Sequence, residues 1–212
     1  MTENITVFIQ NSIKIESDAG NIYIDPFRME ISPRDADFIM ITHDHYDHFS
    51  LDDIKKVAGS NTVLIVPSGM KKKADDASDM VNRIETVEPG KSYSIDGLNF
   101  ETVPSYNKLK PFHPKGAGWV GYIINSDGKR IYIAGDTDAT NEAKEVSCDI
   151  ALVPVGGTYT MNSKEAAALI NIIKPEVAIP VHYGEIVGKP ADGEVFAKNV
   201  SSDIKVEFKI RF

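Results

Sequence analysis

The chain has 212 residues, of which 42% are hydrophobic and 25% charged, values typical of a globular protein of one domain. Its net charge of −8 argues against a nucleic-acid partner, because an acidic surface repels phosphates. No apolar run reaches the roughly 18 residues that cross a bilayer, no signal peptide is visible at the start, and the single cysteine, Cys148, excludes an internal disulfide. We therefore expect a single cytoplasmic domain over residues 1–212.

Short β-branched segments separated by turn residues open the chain. They predict an antiparallel meander of three strands at residues 5–9, 12–15 and 21–24. Asp25 follows the third strand and precedes a proline. Its carboxylate either supports a metal-bound histidine from behind or only forms a turn, and the residues alone leave both interpretations open.

A buried strand is predicted at residues 38–41, which are all apolar, and a polar cluster follows it directly. The sequence T-H-D-H-Y-D-H at residues 42–48 combines histidines with carboxylates, which suit a divalent metal of the zinc type. His43 and His45 are two residues apart, so in extended backbone they can point to one side and chelate one ion. Asp47 and His48 point elsewhere and can serve a second ion.

The rest of the chain alternates predicted strands and helices. Ser50 is predicted to cap a helix, with Asp53 three residues later, so the histidine cluster lies in a strand-to-helix loop. Ser68 is predicted to cap a short helix whose three lysines form a solvated face, since aspartates follow at once. A helix is expected to begin at Ser163. Another helix is predicted at 192–200, and strands at 62–66, 81–87, 92–95, 98–103, 119–125, 130–134, 150–154, 177–181 and 204–210.

The irregular segment 104–118 is rich in proline, glycine, lysine and aromatic residues, and long loops of this kind are often functional. Lys108 and Lys110 can meet an anionic group of a substrate, and Asn107 and Tyr159 are further candidates for substrate contacts. Aromatic side chains can hold an apolar portion of the substrate: Tyr106, Phe112 and Trp119. The alternative is a surface loop with solvated lysines.

Several segments of the chain resemble the metallo-β-lactamase superfamily. Residues 43–48 match its H-x-H-x-D-H signature, Y-I-A-G-D-T resembles the segment of its bridging aspartate, and I-P-V-H-Y-G resembles that of its last histidine ligand. With G-W-V-G-Y-I-I and P-V-G-G-T-Y-T-M, the chain looks like a compact branch of metal-dependent hydrolases. It is also similar to the ascorbate-phosphate lactonase and N-acyl-phosphatidylethanolamine phospholipase D branches.

The resemblance implies an α/β fold, a four-layer αββα sandwich of the metallo-β-lactamase type. It implies a hydrolase that uses a metal-activated water or hydroxide at a site of two divalent ions, zinc first, with manganese, iron or nickel as alternatives. The small-molecule substrate would be a phosphodiester, lactone or related ester. His43 and His45 would bind the first ion. Asp136 would bridge both ions, Asp47 would also orient the hydroxide, and the second ion would take Asp47, His48 and His182.

One position departs from the pattern of the superfamily. Asn107 stands nearest to the place where a third histidine of the first ion is expected, and His113 follows six residues later. Either the loop curls back so that His113 completes the first site, which we favour, or His113 faces the substrate as an acid, base or anchor.

Two other functional classes compete with the hydrolase. In the diiron oxidoreductase branch a glutamate replaces the second motif histidine and a flavin domain follows, whereas this chain has His45 and no length for a flavodoxin module. A non-catalytic metal-binding member would have lost ligands, whereas a single ligand position is in doubt here. A metal-dependent hydrolase is therefore the predicted function.

Overall fold

The strands form two mixed sheets in the computed structural model, which describes residues 2–211. The first sheet has six strands in chain order: β1 Ile5–Val7, β2 Ile13–Ser17, β3 Gly20–Ile24, β4 Ala36–Met40, β5 Ala58–Pro67 and β6 Arg83–Val87. The second has seven strands, again neighbours in chain order: β7 Ser92–Ile95, β8 Leu98–Pro104, β9 Val120–Ser126, β10 Lys129–Ile133, β11 Ile150–Pro154, β12 Val177–Val181 and β13 Lys205–Val206.

Both sheets begin antiparallel and become parallel. The pairs β1–β2 and β2–β3 are antiparallel, and the pairs from β3 to β6 are parallel. In the second sheet the antiparallel part runs from β7 to β10 and the parallel part from β10 to β13. Each sheet therefore contains parallel strands. The carboxyl ends of such strands are where α/β proteins hold ligands.

Within residues 2–211, five α-helices and three short 3-10 turns connect the strands. None of the helices among residues 2–211 is long and apolar enough to cross a membrane. The α-helices are α1 Leu51–Val57, α2 Lys71–Ala74, α3 Asn141–Lys144, α4 Ser163–Ile173 and α5 Ala191–Asn199, and the 3-10 turns are Ser68–Met70, Asp75–Met80 and Lys115–Ala117.

Successive side chains along the strands of the first sheet point to opposite faces of the sheet. Among residues 2–211 they contribute to two separate hydrophobic cores. Met40 of β4 belongs to the larger core, with side chains of the second sheet such as Tyr122. Its neighbour Ile39 points the other way and packs with Ile54 of α1. Side chains of α4, which packs on β11, and of α5, which packs on α4, join the larger core. The layers are therefore helix, sheet, sheet and helix, which confirms the predicted four-layer sandwich.

Two helices begin where the sequence predicts. The Ser50 side chain accepts a hydrogen bond from the backbone N of Asp53, as predicted for the start of α1. The helix that begins at Ser163 is capped by Asn162, whose side chain and that of Glu165 form a reciprocal capping box. Because α1 follows the histidine cluster directly, its cap also fixes the end of that loop.

Some predicted boundaries were wrong. The last strand is confined to Lys205–Val206 instead of 204–210, because the chain then turns toward Thr2, whose carbonyl accepts from Lys209 Nζ. Ser68 does not cap α2, since a 3-10 turn intervenes and Met70 holds the cap position. β5 begins at Ala58, four residues earlier than predicted. Shifts of two residues affect four more strands: β1 ends at Val7, β2 ends at Ser17, β4 begins at Ala36 and β6 begins at Arg83.

We predict that Gly121→Ala destabilises the metal-free protein by about 1–3 kcal/mol, because overpacking forces backbone shifts. A Cβ at Gly121 would lie 2.6 Å from the carbonyl oxygen of Ile133 on β10. The matched control is Gly116→Ala, where an added Cβ meets nothing within 4 Å. Urea unfolding in the presence of chelator measures both free energies, and equal stability of the two variants would contradict the prediction.

Candidate metal centre

Loops at the carboxyl ends of four strands converge on one point between the sheets. The loop after β4 carries the H-x-H-x-D-H motif, and the other loops follow β8, β10 and β12. All five histidines of the chain meet here. The assembled side chains are those of His43, His45, Asp47, His48, His113, Asp136 and His182.

A first set of potential ligands consists of His43, His45 and His113, whose ligand atoms all lie within 4.8 Å of one another. The ring nitrogens His43 Nε2 and His45 Nδ1 are 3.0 Å apart. His43 and His113 are buried, and His45 is partly exposed. Three imidazoles around one point are a donor set that suits zinc.

A second set consists of Asp47, His48 and His182, again with ligand atoms within 4.8 Å of one another. His182 Nε2 is 3.2 Å from His48 Nε2 and 3.4 Å from Asp47 Oδ2. All three side chains are buried. The sequence assigned these residues to one ion, and the structure brings them together.

Asp136 lies between the two sets, and its two carboxylate oxygens face different members. Oδ2 is 3.4 Å from His113 Nε2, in the first set. Oδ1 is 3.3 Å from His182 Nε2 and 3.6 Å from His48 Nε2, in the second set. This is the placement expected of a carboxylate that contacts two ions at once.

Unpaired polar atoms in this centre fit a bound cation. Among residues 2–211, His113 Nε2 and Asp136 Oδ1 are buried without a hydrogen-bond partner. Buried polar groups are normally hydrogen-bonded, so such atoms need another explanation. Nitrogen and carboxylate donors crowded around shared points, with lone pairs left free, are what divalent ions of the zinc type require.

Two histidines of the motif loop, His43 and His45, have lowered pKa values. Burial lowers the pKa of His43 well below its usual value, and the neighbouring His48 adds to this shift. Burial also lowers the pKa of His45. Both rings are therefore neutral near pH 7, which is the form that binds metal.

The two carboxylates of the centre have lowered pKa values, whereas the pKa of His48 is raised. Burial raises the pKa of Asp47, but His182 and His48 outweigh it and lower that pKa to about 2. The same histidines hold the pKa of Asp136 well below its usual range despite burial. Burial lowers the pKa of His48, but Asp136 and Asp25 outweigh it and raise that pKa well above its usual value. Without a metal, a proton on His48 partly balances the carboxylates.

Asp25 supports His48 from behind, one of the two interpretations that the sequence left open. Its Oδ2 lies 2.7 Å from His48 Nδ1, and the backbone N of Thr42 donates to Oδ1 at 2.8 Å. Asn11 donates a further hydrogen bond of 2.7 Å to the same carboxylate. The contact would keep a proton on Nδ1 when a metal binds, and it leaves Nε2 facing the centre.

The loop after β8 curls back, and Asn107 holds His113 in place. Asn107 Oδ1 accepts from the backbone N of His113 at 3.1 Å and lies 2.9 Å from its ring Nδ1. Asn107 Nδ2 donates to the carbonyl of Tyr159 and to Asp138. The structure therefore places Asn107 behind His113, and its predicted contact with substrate stays a prediction.

The other candidates for substrate contacts lie along the same loop. Lys110 forms an ion pair with Asp138 and donates to the carbonyl of Thr160 at 2.8 Å. Lys108 is exposed, and its backbone N donates to Asp138 at 2.9 Å. Tyr159 is 39% exposed and packs edge-on against Phe112 with ring centroids 4.7 Å apart. The loop thus packs against the segment after β11.

Two residues of the centre were not assigned to it from the sequence. Trp119 packs against His43 and His45, with ring centroids 5.0 Å apart in each case, and also against His113 at 5.6 Å. Gln10 is fully buried beside His182 and Asp47. Trp119 was considered for the apolar part of a substrate, whereas a glutamine between two predicted strands carries no signal of a site.

Comparisons with known proteins agree with this geometry. The family model of the β-lactamase superfamily domain matches residues 4–182. A UPF0173 metal-dependent hydrolase of Methanopyrus kandleri is 30% identical over 205 residues, covering 89% of this chain and 87% of the relative. The crystal structure of a protein from Parabacteroides distasonis described as a metal-dependent hydrolase has a TM-score of 0.81 at 30% identity. The match covers 98% of this chain and 93% of that one.

A further solved structure is Igni18, a metallo hydrolase of Ignicoccus hospitalis, with a TM-score of 0.77 at 25% identity. It covers 96% of this chain and 93% of its own. The four-layer fold and the histidine–aspartate centre define a protein of the metallo-β-lactamase superfamily. Within it, the chain belongs to the UPF0173 metal-dependent hydrolases.

We predict that Asn107→Leu lowers the affinity of one metal ion by about 10–100-fold, the usual effect of losing a group that orients a ligand. Leucine keeps the branched shape of the side chain but removes both side-chain hydrogen bonds to His113. The exposed neighbour provides the control, since Lys108→Ala leaves these bonds intact. Calorimetric zinc titration, with the fluorescence of Trp119 as a second signal, measures the affinities. Wild-type binding by Asn107→Leu would show that His113 needs no such support.

Proposed function

We propose that the protein hydrolyses a phosphodiester, lactone or related ester at a centre that holds two divalent ions. The observation that carries this proposal is Asp136, whose two oxygens face separate ligand sets at 3.3–3.6 Å. Imidazole donors at both sets favour zinc, with manganese, iron or nickel as alternatives. His45 supports hydrolysis over diiron oxidation, because an imidazole stands where that branch has a carboxylate.

In this proposal His43, His45 and His113 would hold the first ion, and Asp47, His48 and His182 would hold the second. Asp136 could serve both ions, because its two oxygens face different sets. When bound, the ions supply Lewis acidity, which lowers the pKa of water toward neutrality and polarises a substrate oxygen. A serine or cysteine nucleophile is not required.

The protein's own side chains then have distinct tasks. Asp47 is ionised, since its pKa is about 2, and it could accept a hydrogen bond that orients a water molecule in the centre. Trp119 covers the rings of the first ligand set and limits the access of solvent to them. Asp25 and Asn107 keep His48 and His113 from rotating.

The substrate would enter beside the loop after β8. Lys110 is already paired with Asp138, so the exposed Lys108 is the cation that remains for a negatively charged group. Tyr159 and Phe112 form an aromatic pair that can pack against an apolar portion. These features favour a small anionic ester with an apolar substituent.

We predict two equivalents of divalent metal in wild-type protein purified without chelator. Asp136→Asn should weaken both ions at least about tenfold and lower turnover, because an amide offers one acceptor oxygen and no charge. Asp44→Asn is the matched control, since Asp44 lies in the same motif loop and faces Lys73. Elemental analysis and a panel of chromogenic phosphodiesters, lactones and esters provide the two readouts. Wild-type occupancy in Asp136→Asn would disprove the bridging role.

The metal centre and the substrate classes can be disproved independently. A wild-type protein that takes up no metal after reconstitution would contradict the metal centre itself. A protein that holds two ions but hydrolyses no member of the panel would contradict the proposed substrate classes while leaving the centre intact.

A further inference from the structure

Gln10 follows β1 and points its carboxamide at the second ligand set. The side chain is fully buried. Its Nε2 lies 3.4 Å from His182 Nε2 and 3.5 Å from Asp47 Oδ2. The separations within the ligand set itself span 3.2 Å for His48–His182 to 3.7 Å for His48–Asp47. The end of the glutamine side chain is therefore as close to this set as its members are to one another.

The backbone at Gln10 is strained in a way that aims the side chain at the centre. Gln10 has a φ of 51°, in the left-handed region that favours glycine. His182 has a φ of 57°, and its backbone N donates to the Gln10 carbonyl at 2.9 Å. Two strained residues that are hydrogen-bonded to each other and face one point are typical of functional sites.

The acceptor end of the same side chain is not satisfied. Within residues 2–211, Gln10 Oε1 is buried and has no hydrogen-bond partner. The two ends of a carboxamide have nearly the same size, so a half-turn about the last side-chain bond exchanges them. The oxygen then occupies the position that the nitrogen holds in this structure, 3.4 Å from His182 Nε2 and 3.5 Å from Asp47 Oδ2.

We propose that Gln10 is a ligand of the second ion, through its carboxamide oxygen. This inference rests on the proposed two-ion function and refines it. The second site then has oxygen donors from Asp47, Asp136 and Gln10 beside two imidazoles, whereas the first has three imidazoles and one shared carboxylate. Carbonyl and carboxylate oxygens suit manganese better than imidazole does. The second site consequently accepts Mn²⁺ readily, while the first prefers Zn²⁺.

Two substitutions separate coordination from backbone strain. Gln10→Asn keeps the carboxamide and tolerates a positive φ, but it is one methylene too short to reach the ion. Gln10→Gly removes the side chain and relieves the strain at φ 51°. Thermal unfolding of the metal-free proteins should show that both variants fold, with Gln10→Gly at least as stable as wild type.

The test is binding of Mn²⁺ to protein that already holds one equivalent of Zn²⁺, measured by electron paramagnetic resonance of free Mn²⁺. Wild type should bind one Mn²⁺, and both variants should bind it at least about tenfold more weakly. Binding of the first Zn²⁺, followed by Trp119 fluorescence, should not change, because that site does not include Gln10.

The possible failures are distinct. Unchanged Mn²⁺ affinity in both variants would overturn the ligand role of Gln10 and leave the two-ion function standing. Unchanged affinity combined with reduced turnover would also overturn it, and would assign Gln10 to the substrate instead. A wild-type protein that binds one ion in total, whatever the metal, would overturn both this inference and the two-ion function.

Discussion

The structure depends on the burial of six of the seven candidate metal-ligating side chains in one small space. His43, His48, His113 and His182 are at most 2% exposed, and Asp47 and Asp136 are 7% and 4% exposed. Burying charged and lone-pair groups is costly unless they are compensated, and protein donors do not satisfy all of them. Divalent cations bound here would provide the missing compensation and would couple metal binding to the stability of this region.

The two stacked sheets make this arrangement possible because they hold the ligands at strand ends. Behind the ligands, Asp25 and Asn107 fix the rings of His48 and His113. Some backbone strain lies at the same place, since Gln10, Asp25 and His182 are three of the eight non-glycine residues with positive φ among residues 2–211. Rigid strands tolerate such strain, which would be lost if the loops were free to relax.

Much of this could be predicted from the sequence, because apolar strands end in polar clusters. The four motif residues, Asp136 and His182 each follow such a strand, and the structure brings them together. His113 could be predicted only as the remaining histidine, because its approach depends on the loop 107–113 closing on itself. The position of Gln10 in the centre and the supporting role of Asn107 depend on tertiary contacts that no local sequence pattern predicts. The extent of β13 was overestimated for the same reason, since contacts with the N-terminal segment decide where pairing ends.

The most direct test of the proposed two-ion centre is anomalous X-ray diffraction from crystals grown with zinc, recorded at the absorption edge of the metal. We expect two anomalous peaks, one among His43, His45 and His113 and the other among Asp47, His48 and His182. The carboxylate of Asp136 should contact both ions. A single peak, or two peaks of which only one touches Asp136, would contradict the account.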